Sequence, residues 1–145
     1  MRLQSTNIGL INPAQAMTWY ITIRILALHY CLTSVQILQI LSDHPSVGVR
    51  RGGELVSWVL IQNDGAVGML CTLEPHRGRG LARRSVAHLI RRCCEDGVEC
   101  PPFAFIADDN LYSLRVFLGL GFERIASVVW ADIDLDSPSA LHIAK

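Results

Sequence analysis

Several absences narrow this sequence before any motif is read. It carries no net formal charge, 13 basic side chains balancing 13 acidic ones, so composition gives no basis for a dedicated nucleic-acid surface. Charged residues make up only 18% and hydrophobic residues 50%, which excludes a disordered chain. The five cysteines, Cys31, Cys71, Cys93, Cys94 and Cys100, are odd in number and include no C-x-x-C pair. Neither a disulfide framework nor a zinc knuckle is expected, and a reducing compartment suits them. The most apolar run, Met17 to Leu32, is broken by Arg24 and His29. It falls short of the roughly 20 apolar residues of a membrane helix, so no membrane span is expected. Internal repeats and low-complexity segments are also missing. Residues 1–42 lack Asp and Glu, which suits a mitochondrial transit peptide, although Arg2 and Arg24 are the only arginines there.

What is present is a chain of 145 residues, one ordinary domain. Such a domain can bury about two thirds of the surface its unfolded chain exposes. From Thr18, "TWYITIRILAL" alternates as a half-buried strand does. Ser34–Leu41 reads as a helix with Ser34 as N-cap, and Pro45 lies beyond its end. Glu54–Gln62 and Ala66–Leu73 are apolar strands on either side of Asn63-Asp64-Gly65, residues that tolerate the positive φ of a tight turn; an antiparallel hairpin is predicted. Gly80–Glu95 places Leu81, Val86, Leu89, Ile90 and Cys93 on one helical face and Arg83, Arg84, His88, Arg91 and Arg92 on the other. Gly97 then reads as the residue that ends this helix, before Pro101 and Pro102. A strand at Phe103–Ala107, a helix from about Asn110 to Leu118 and a returning strand from Glu123 to Ile133 complete the pattern.

The run "LEPHRGRGLARR", Leu73–Arg84, clusters arginine and glycine between the hairpin and a helix. A helix start leaves its first N–H groups unpartnered and adds partial positive charge, so a diphosphate can dock there if no Cβ intrudes. Gly78 and Gly80 meet that condition. The loop lacks the Lys-Ser/Thr ending of a nucleoside triphosphate loop and the G-x-G-x-x-G of a dinucleotide fold, so a different diphosphate is implied.

"RGRGLA", Arg77–Ala82, resembles the Q/R-x-x-G-x-G/A signature of the GCN5-related N-acetyltransferase superfamily, whose loop wraps the pyrophosphate of coenzyme A. "DNLYSLRVFLGLGF", Asp109–Phe122, looks like that superfamily's later motif, an Asn opening a helix that ends in Leu-Gly-Phe. More narrowly, Gly53–Ala82 is similar to the C-terminal acyltransferase domain of glycine N-acyltransferases, with its V-S-W strand, Gly turn and R-G-x-G loop. The similarity covers roughly Ser34–Asp132. It divides the chain into a poorly matched segment 1–33, which would hold a first strand or helix, an acyltransferase domain 34–135 and a tail 136–145.

The resemblance implies an α/β fold with a mixed, mostly antiparallel central sheet, flanked by helices and splayed where acyl-CoA binds as cosubstrate, without a metal. Backbone groups of Leu70, Cys71 and Thr72 would pair with pantetheine, and the N–H near Leu70 would stabilise the oxyanion. Arg77, Gly78, Arg79, Gly80, Leu81 and Ala82 would hold the pyrophosphate, with Arg79, Arg83 or Arg84 meeting the 3'-phosphate, and Asn110 would contact pantetheine or a neighbouring loop. The acceptor must attack as a neutral amine, which calls for a base. Glu54, Asp64, Glu74, His76 and Asp108 are the candidates. Ala66 stands where relatives carry a glutamate, Glu74 where they carry Pro, and Phe117 where many acetyltransferases carry a Tyr acid. Cys71, Cys93 and Cys94 are expected to pack as small apolar groups. The implied reaction is acyl transfer from acyl-CoA to glycine or a similar small amino acid in a ternary complex, with a mitochondrial address suggested by the resemblance and a cytoplasmic one as alternative. Other readings are a peptide or protein N-acetyltransferase of the same fold and a CoA-binding module without catalysis.

Overall fold

Strands rich in valine, leucine and isoleucine assemble into a four-stranded sheet in the order β1-β2-β3-β4, antiparallel throughout. They are β1 (Thr6–Leu10), β2 (Ser46–Arg51), β3 (Glu54–Ile61) and β4 (Val67–Thr72). The computed structural model describes residues 6–10, 33–97 and 102–128. Helix α1 (Ser34–Asp43) covers one face of the sheet, packing Ile37, Ile40 and Leu41 on Leu55, Trp58, Leu60 and Met69. Helix α2 (Leu81–Glu95) covers the other, where Val86 and Leu89 meet Val47, Val59 and Val67, joined by Phe117 of α3 (Leu111–Leu118). Burial on both faces is why β3 reads as a nearly unbroken apolar run rather than as an alternation.

The hairpin and both later helices lie where the pattern predicts them. Asp64 closes the turn by accepting the Ala66 N–H on Oδ1 at 3.0 Å, and Gly65 takes φ +84°. Gly97, at φ +77°, donates to Cys94 O and ends α2. Other expectations shift. The N-cap of α1 is Thr33, not Ser34: its side chain accepts the Gln36 N–H while the Gln36 side chain accepts the Thr33 N–H, a complete capping box. Strand β2 was not anticipated, because Gly48 and the terminal Arg50 and Arg51 hide the strand character of "SVGVRR". Its neighbour β1 lies in segment 1–33, where a first strand or helix is expected.

Phe103–Ala107 forms no strand element among the described residues. Pro102 offers no N–H, and a bond from Val67 N–H to Phe103 O, 2.8 Å, ties the run to the sheet. The described part of the expected return strand, 123–128, is likewise without strand assignment. The predicted strand from Thr18, together with Cys31, Cys100, Trp130 and the tail, lies outside the described residues.

Candidate functional site

Two bulges give β3 and β4 their local shape. Val49 of β2 stands opposite Ser57 and Arg50 opposite Leu55, so Val56 is the extra residue on β3. Farther along, Trp58 opposes Cys71 and Leu60 opposes Gly68, which leaves Val59 facing both Met69 and Leu70. Met69 has φ +50°, the one non-glycine at positive φ among the described residues. That conformation costs an unbranched L-residue about 1–2 kcal/mol. The buried Met69 side chain, packed in the Trp58 cluster under α1, holds it in place. Strain of this kind, stored in the middle of a strand, marks a place where the backbone is shaped for more than pairing.

The bulge decides which amides leave the sheet. Leu73 N–H donates to Val56 O at 2.9 Å, so Thr72, one residue earlier, points its N–H and C=O away from β3. Leu70, two residues before Thr72, shares that orientation. Val67 also points outward, and its amide is taken by Phe103 O. Beyond Val67 the outer edge of β4 opens: among the described residues, no backbone carbonyl outside the sheet accepts from Leu70 or Thr72. Thr72 O accepts Arg77 Nε at 3.0 Å, which folds the following loop back on the strand end.

That loop runs through a single 3-10 turn, Glu74–His76, into the glycines. Gly78 and Gly80 adopt φ +71° and +70°. A Cβ at either would meet nothing within 4 Å, so the positive φ, not crowding by the protein, is what calls for glycine. Gly80 is the N-cap of α2 and has no side chain to cap with. The first-turn amides of Leu81, Ala82 and Arg83 are thus left to an outside acceptor, at the positive end of a 15-residue helix without an acid in its first turn. The result is two groups of outward backbone donors, Leu70 and Thr72 on β4 and the first turn of α2, while the N–H groups of Leu73, His76 and Arg77 between them are taken by Val56 O, Leu73 O and Glu74 O.

A hydroxyl cluster of two buried serines and the half-buried Thr72 lies beneath these donors. Ser57 and Ser85 are both fully buried. Ser57 Oγ donates to Cys71 O at 2.9 Å and stands 2.8 Å from Thr72 Oγ1 and 3.5 Å from Ser85 Oγ, which in turn donates to Leu81 O at 3.1 Å. On the helix surface, the Arg83 guanidinium donates to Gly119 O at 2.8 Å, bridging the first turn of α2 to the end of α3.

The family model of FR47-like proteins matches residues 46–131, which contain the bulged strand, the glycine loop and α3. The chain belongs to the FR47-like family. Among solved structures, a Drosophila protein superposes with a TM-score of 0.71 at 20% identity, over 83% of this chain and 40% of that one. The chain therefore spans 40% of the length of that protein. The ribosomal-protein-alanine N-acetyltransferase of Brucella melitensis biovar Abortus 2308 superposes at 0.70 with 15% identity, over 90% of this chain and all of its own. The aminoglycoside acetyltransferase AAC(6')-Iy, in complex with a bisubstrate analog of CoA, reaches 0.72 at 18% identity, over 90% and 99% of the two chains. Likeness at these identities establishes the fold, that of the N-acetyltransferases. A sequence comparison with curated proteins finds no match.

The structure strings Leu70, Cys71, Thr72 and Arg77–Ala82 from the strand end to the helix start, with Glu74 and His76 in the loop between them, and sets the candidate bases away from Leu70 itself. Glu54 is exposed at the β2–β3 turn, five residues from Val59, about 16 Å along the strand from the bulge. Glu74 and His76 lie past Leu73, itself about 10 Å from Leu70 at the rise of a strand. Glu74 is exposed, and the Nδ1 of His76 is buried without a hydrogen-bond partner. Asp64 is engaged in its turn. Asp108 is exposed and paired with Arg124 at 3.0 Å. Asn110 caps α3, accepting the Ser113 N–H at 3.1 Å. Phe117 is buried edge-on against Phe122, centroids 5.0 Å apart. Burial pushes the Cys71 thiol up, with the Arg77 guanidinium pulling more weakly the other way, so at neutral pH it is a thiol. No group of His, Cys, Asp and Glu among the described residues is arranged to hold a metal ion.

Met69, Ser57, Ser85 and the Arg83 bridge were not singled out from sequence. Only Ser57 left a trace there, as a polar residue in the otherwise apolar "LVSWVL".

Proposed function

We propose that this chain binds acyl-CoA along β4 and the start of α2 and transfers the acyl group to an amine. The observation that carries the reading is the pairing of two groups of outward backbone donors. One is Leu70 and Thr72 on the open strand edge beside the strained Met69, and the other is the open first turn of α2. Pantetheine is an amide chain and can pair with a strand edge; a pyrophosphate is the anion a glycine-flanked helix start accepts. The same fold holds CoA in AAC(6')-Iy, which supports the assignment.

Bound acyl-CoA supplies the thioester, and this chain's residues act around it. Leu70 N–H would donate to the thioester oxygen as negative charge develops there, a fixed dipole worth about 3–4 kcal/mol in comparable oxyanion sites. The amides of Gly78–Ala82 would hold the pyrophosphate, the Arg77 N–H being taken by Glu74 O. Arg83 is occupied with Gly119 O, which leaves the exposed Arg79 and Arg84 for the 3'-phosphate. Phe117 has no proton to give, but a thiol of pKa about 8.5 leaves as a stable thiolate without an acid. The amine's proton passes to water, since Glu54, Glu74, His76 and Asp108 all stand off the Leu70 region.

The acceptor in this reading is an amine on a peptide or a small molecule. The proteins of like fold are named for a ribosomal-protein alanine and for aminoglycosides, whereas glycine rests on the run 53–82 alone. The test is release of free CoA thiol from acetyl- and benzoyl-CoA with a panel of peptides, aminoglycosides and amino acids. Turnover with peptides or aminoglycosides supports the reading, and turnover with glycine alone returns it to a glycine N-acyltransferase. The displaced acids and Phe117 favour one further reading, a binding module. Tight CoA binding with no thiol release from any amine would establish it.

A further inference from the structure

The two halves of the proposed site lie on different elements. The edge at Leu70–Thr72 belongs to the sheet, and the phosphate-facing amides belong to a helix joined to it by an exposed loop. A ligand spanning both gains from the second half only if their separation is held in advance. The loop holds one side-chain tie, the exposed Arg77 Nε on Thr72 O, while Gly78 and Gly80 contribute no side chains. Buried contacts beneath the loop add to that tie.

There the hydroxyl cluster meets all three elements. Ser57 projects from β3, where the extra residue Val56 shifts the alternation. Val56 packs with Leu81 of α2, and Ser57 faces Ser85 on that same side. Because the Ser57 proton goes to Cys71 O, the 2.8 Å contact with Thr72 is a bond donated by the Thr72 hydroxyl. Two consecutive residues of the pantetheine edge are thereby tied to one buried oxygen. Ser85, one turn into α2, returns its own proton to Leu81 O at the helix start. Two small, fully buried side chains at 3.5 Å let the helix settle close onto the sheet.

We propose that Ser57 is a positioning residue that sets the spacing between the strand edge and the start of α2, and so makes the two halves of the site act as one. The proposal rests on the CoA reading above. Its test compares whole CoA with adenosine 3',5'-bisphosphate, which engages only the helix half, by calorimetric titration. In Ser57→Ala, CoA affinity should fall roughly tenfold, the scale of lost alignment between two linked halves, while the bisphosphate changes less than about twofold. Thr72→Val, which removes one hydroxyl from a half-buried site and keeps the branched shape, should lower the CoA-to-bisphosphate ratio in the same direction if the serine variant folds poorly. Ile37→Ala, in the core under α1 on the opposite face, should lower thermal stability and leave the ratio unchanged. Equal loss for both ligands, or unchanged CoA affinity in both hydroxyl variants, overturns the proposal alone. If the unaltered chain binds no CoA, the functional reading fails and takes the proposal with it.

Discussion

Met69 pays for its own strain through burial, and the magnitudes decide the sign of a substitution. Met69→Gly relieves about 1–2 kcal/mol of left-handed strain. It also empties a side-chain site in the Trp58 cluster, and truncating a buried methionine costs about 2–5 kcal/mol. The net expectation is a loss of about 2 kcal/mol in chemical denaturation with the bulge retained; a loss equal to the full cavity cost would mean that the φ value is not strained. The cysteines divide by environment. Burial raises the thiol of Cys71, whereas Cys94 is exposed. Because only the thiolate reacts, alkylation of Cys71 should lag behind Cys94 at pH 8 and accelerate only at higher pH. Mass mapping after timed iodoacetamide treatment reads this directly, and faster labelling of Cys71 would contradict it. Folding favours the protonated Cys71 thiol, so its contribution is complete below the ordinary thiol range. It fades as pH climbs through the raised value.

Arg83 belongs to the element scale, because its guanidinium joins the first turn of α2 to the last carbonyls of α3. Arg83→Gln should cost about 0.5–1.5 kcal/mol of stability. Preference for CoA over dephospho-CoA should not change. Arg79→Gln or Arg84→Gln should reduce that preference by up to about fivefold, since an exposed ion pair is worth at most about 1 kcal/mol. A lost preference in Arg83→Gln would assign the 3'-phosphate to Arg83 instead. This division of labour was not legible in the sequence, where the arginines of "RGRGLARR" look alike. What was legible followed from strong local signals: Asn-Asp-Gly between two apolar runs gave the hairpin, and a wide apolar stripe with Gly97 behind it gave α2. Strand β2 escaped because "SVGVRR" has little strand character of its own and its partner β1 is distant in sequence, although Gly52-Gly53, both at positive φ, join it to β3 in a two-residue hairpin turn. Of the site, the glycine loop was readable because positive φ has a sequence preference. The bulge at Met69 was not, since a methionine there carries no local sign of a left-handed backbone.

At the scale of the molecule, stability and ligand binding meet in one measurement. The ion pairs Arg92–Asp96 and Arg124–Asp108 are exposed, so the fold rests on the two cores on either side of the sheet. A ligand at 100 times its Kd adds about 2.7 kcal/mol to the folded state. For a domain of 145 residues, 1 kcal/mol moves Tm by about 3 °C, so CoA at 100 times its Kd should raise Tm by about 8 °C. Gly78→Val and Gly80→Val separate the two terms. Each Cβ finds open space, so the cost without ligand is the φ strain, about 1–2 kcal/mol or more for a branched residue. Tm should then fall by about 3–6 °C with the fold kept. The same Cβ would stand where phosphate approaches the amides, so the rise on adding CoA should disappear. If both variants keep the full rise, the pyrophosphate does not bind at this loop, however acetyltransferase-like the fold around it.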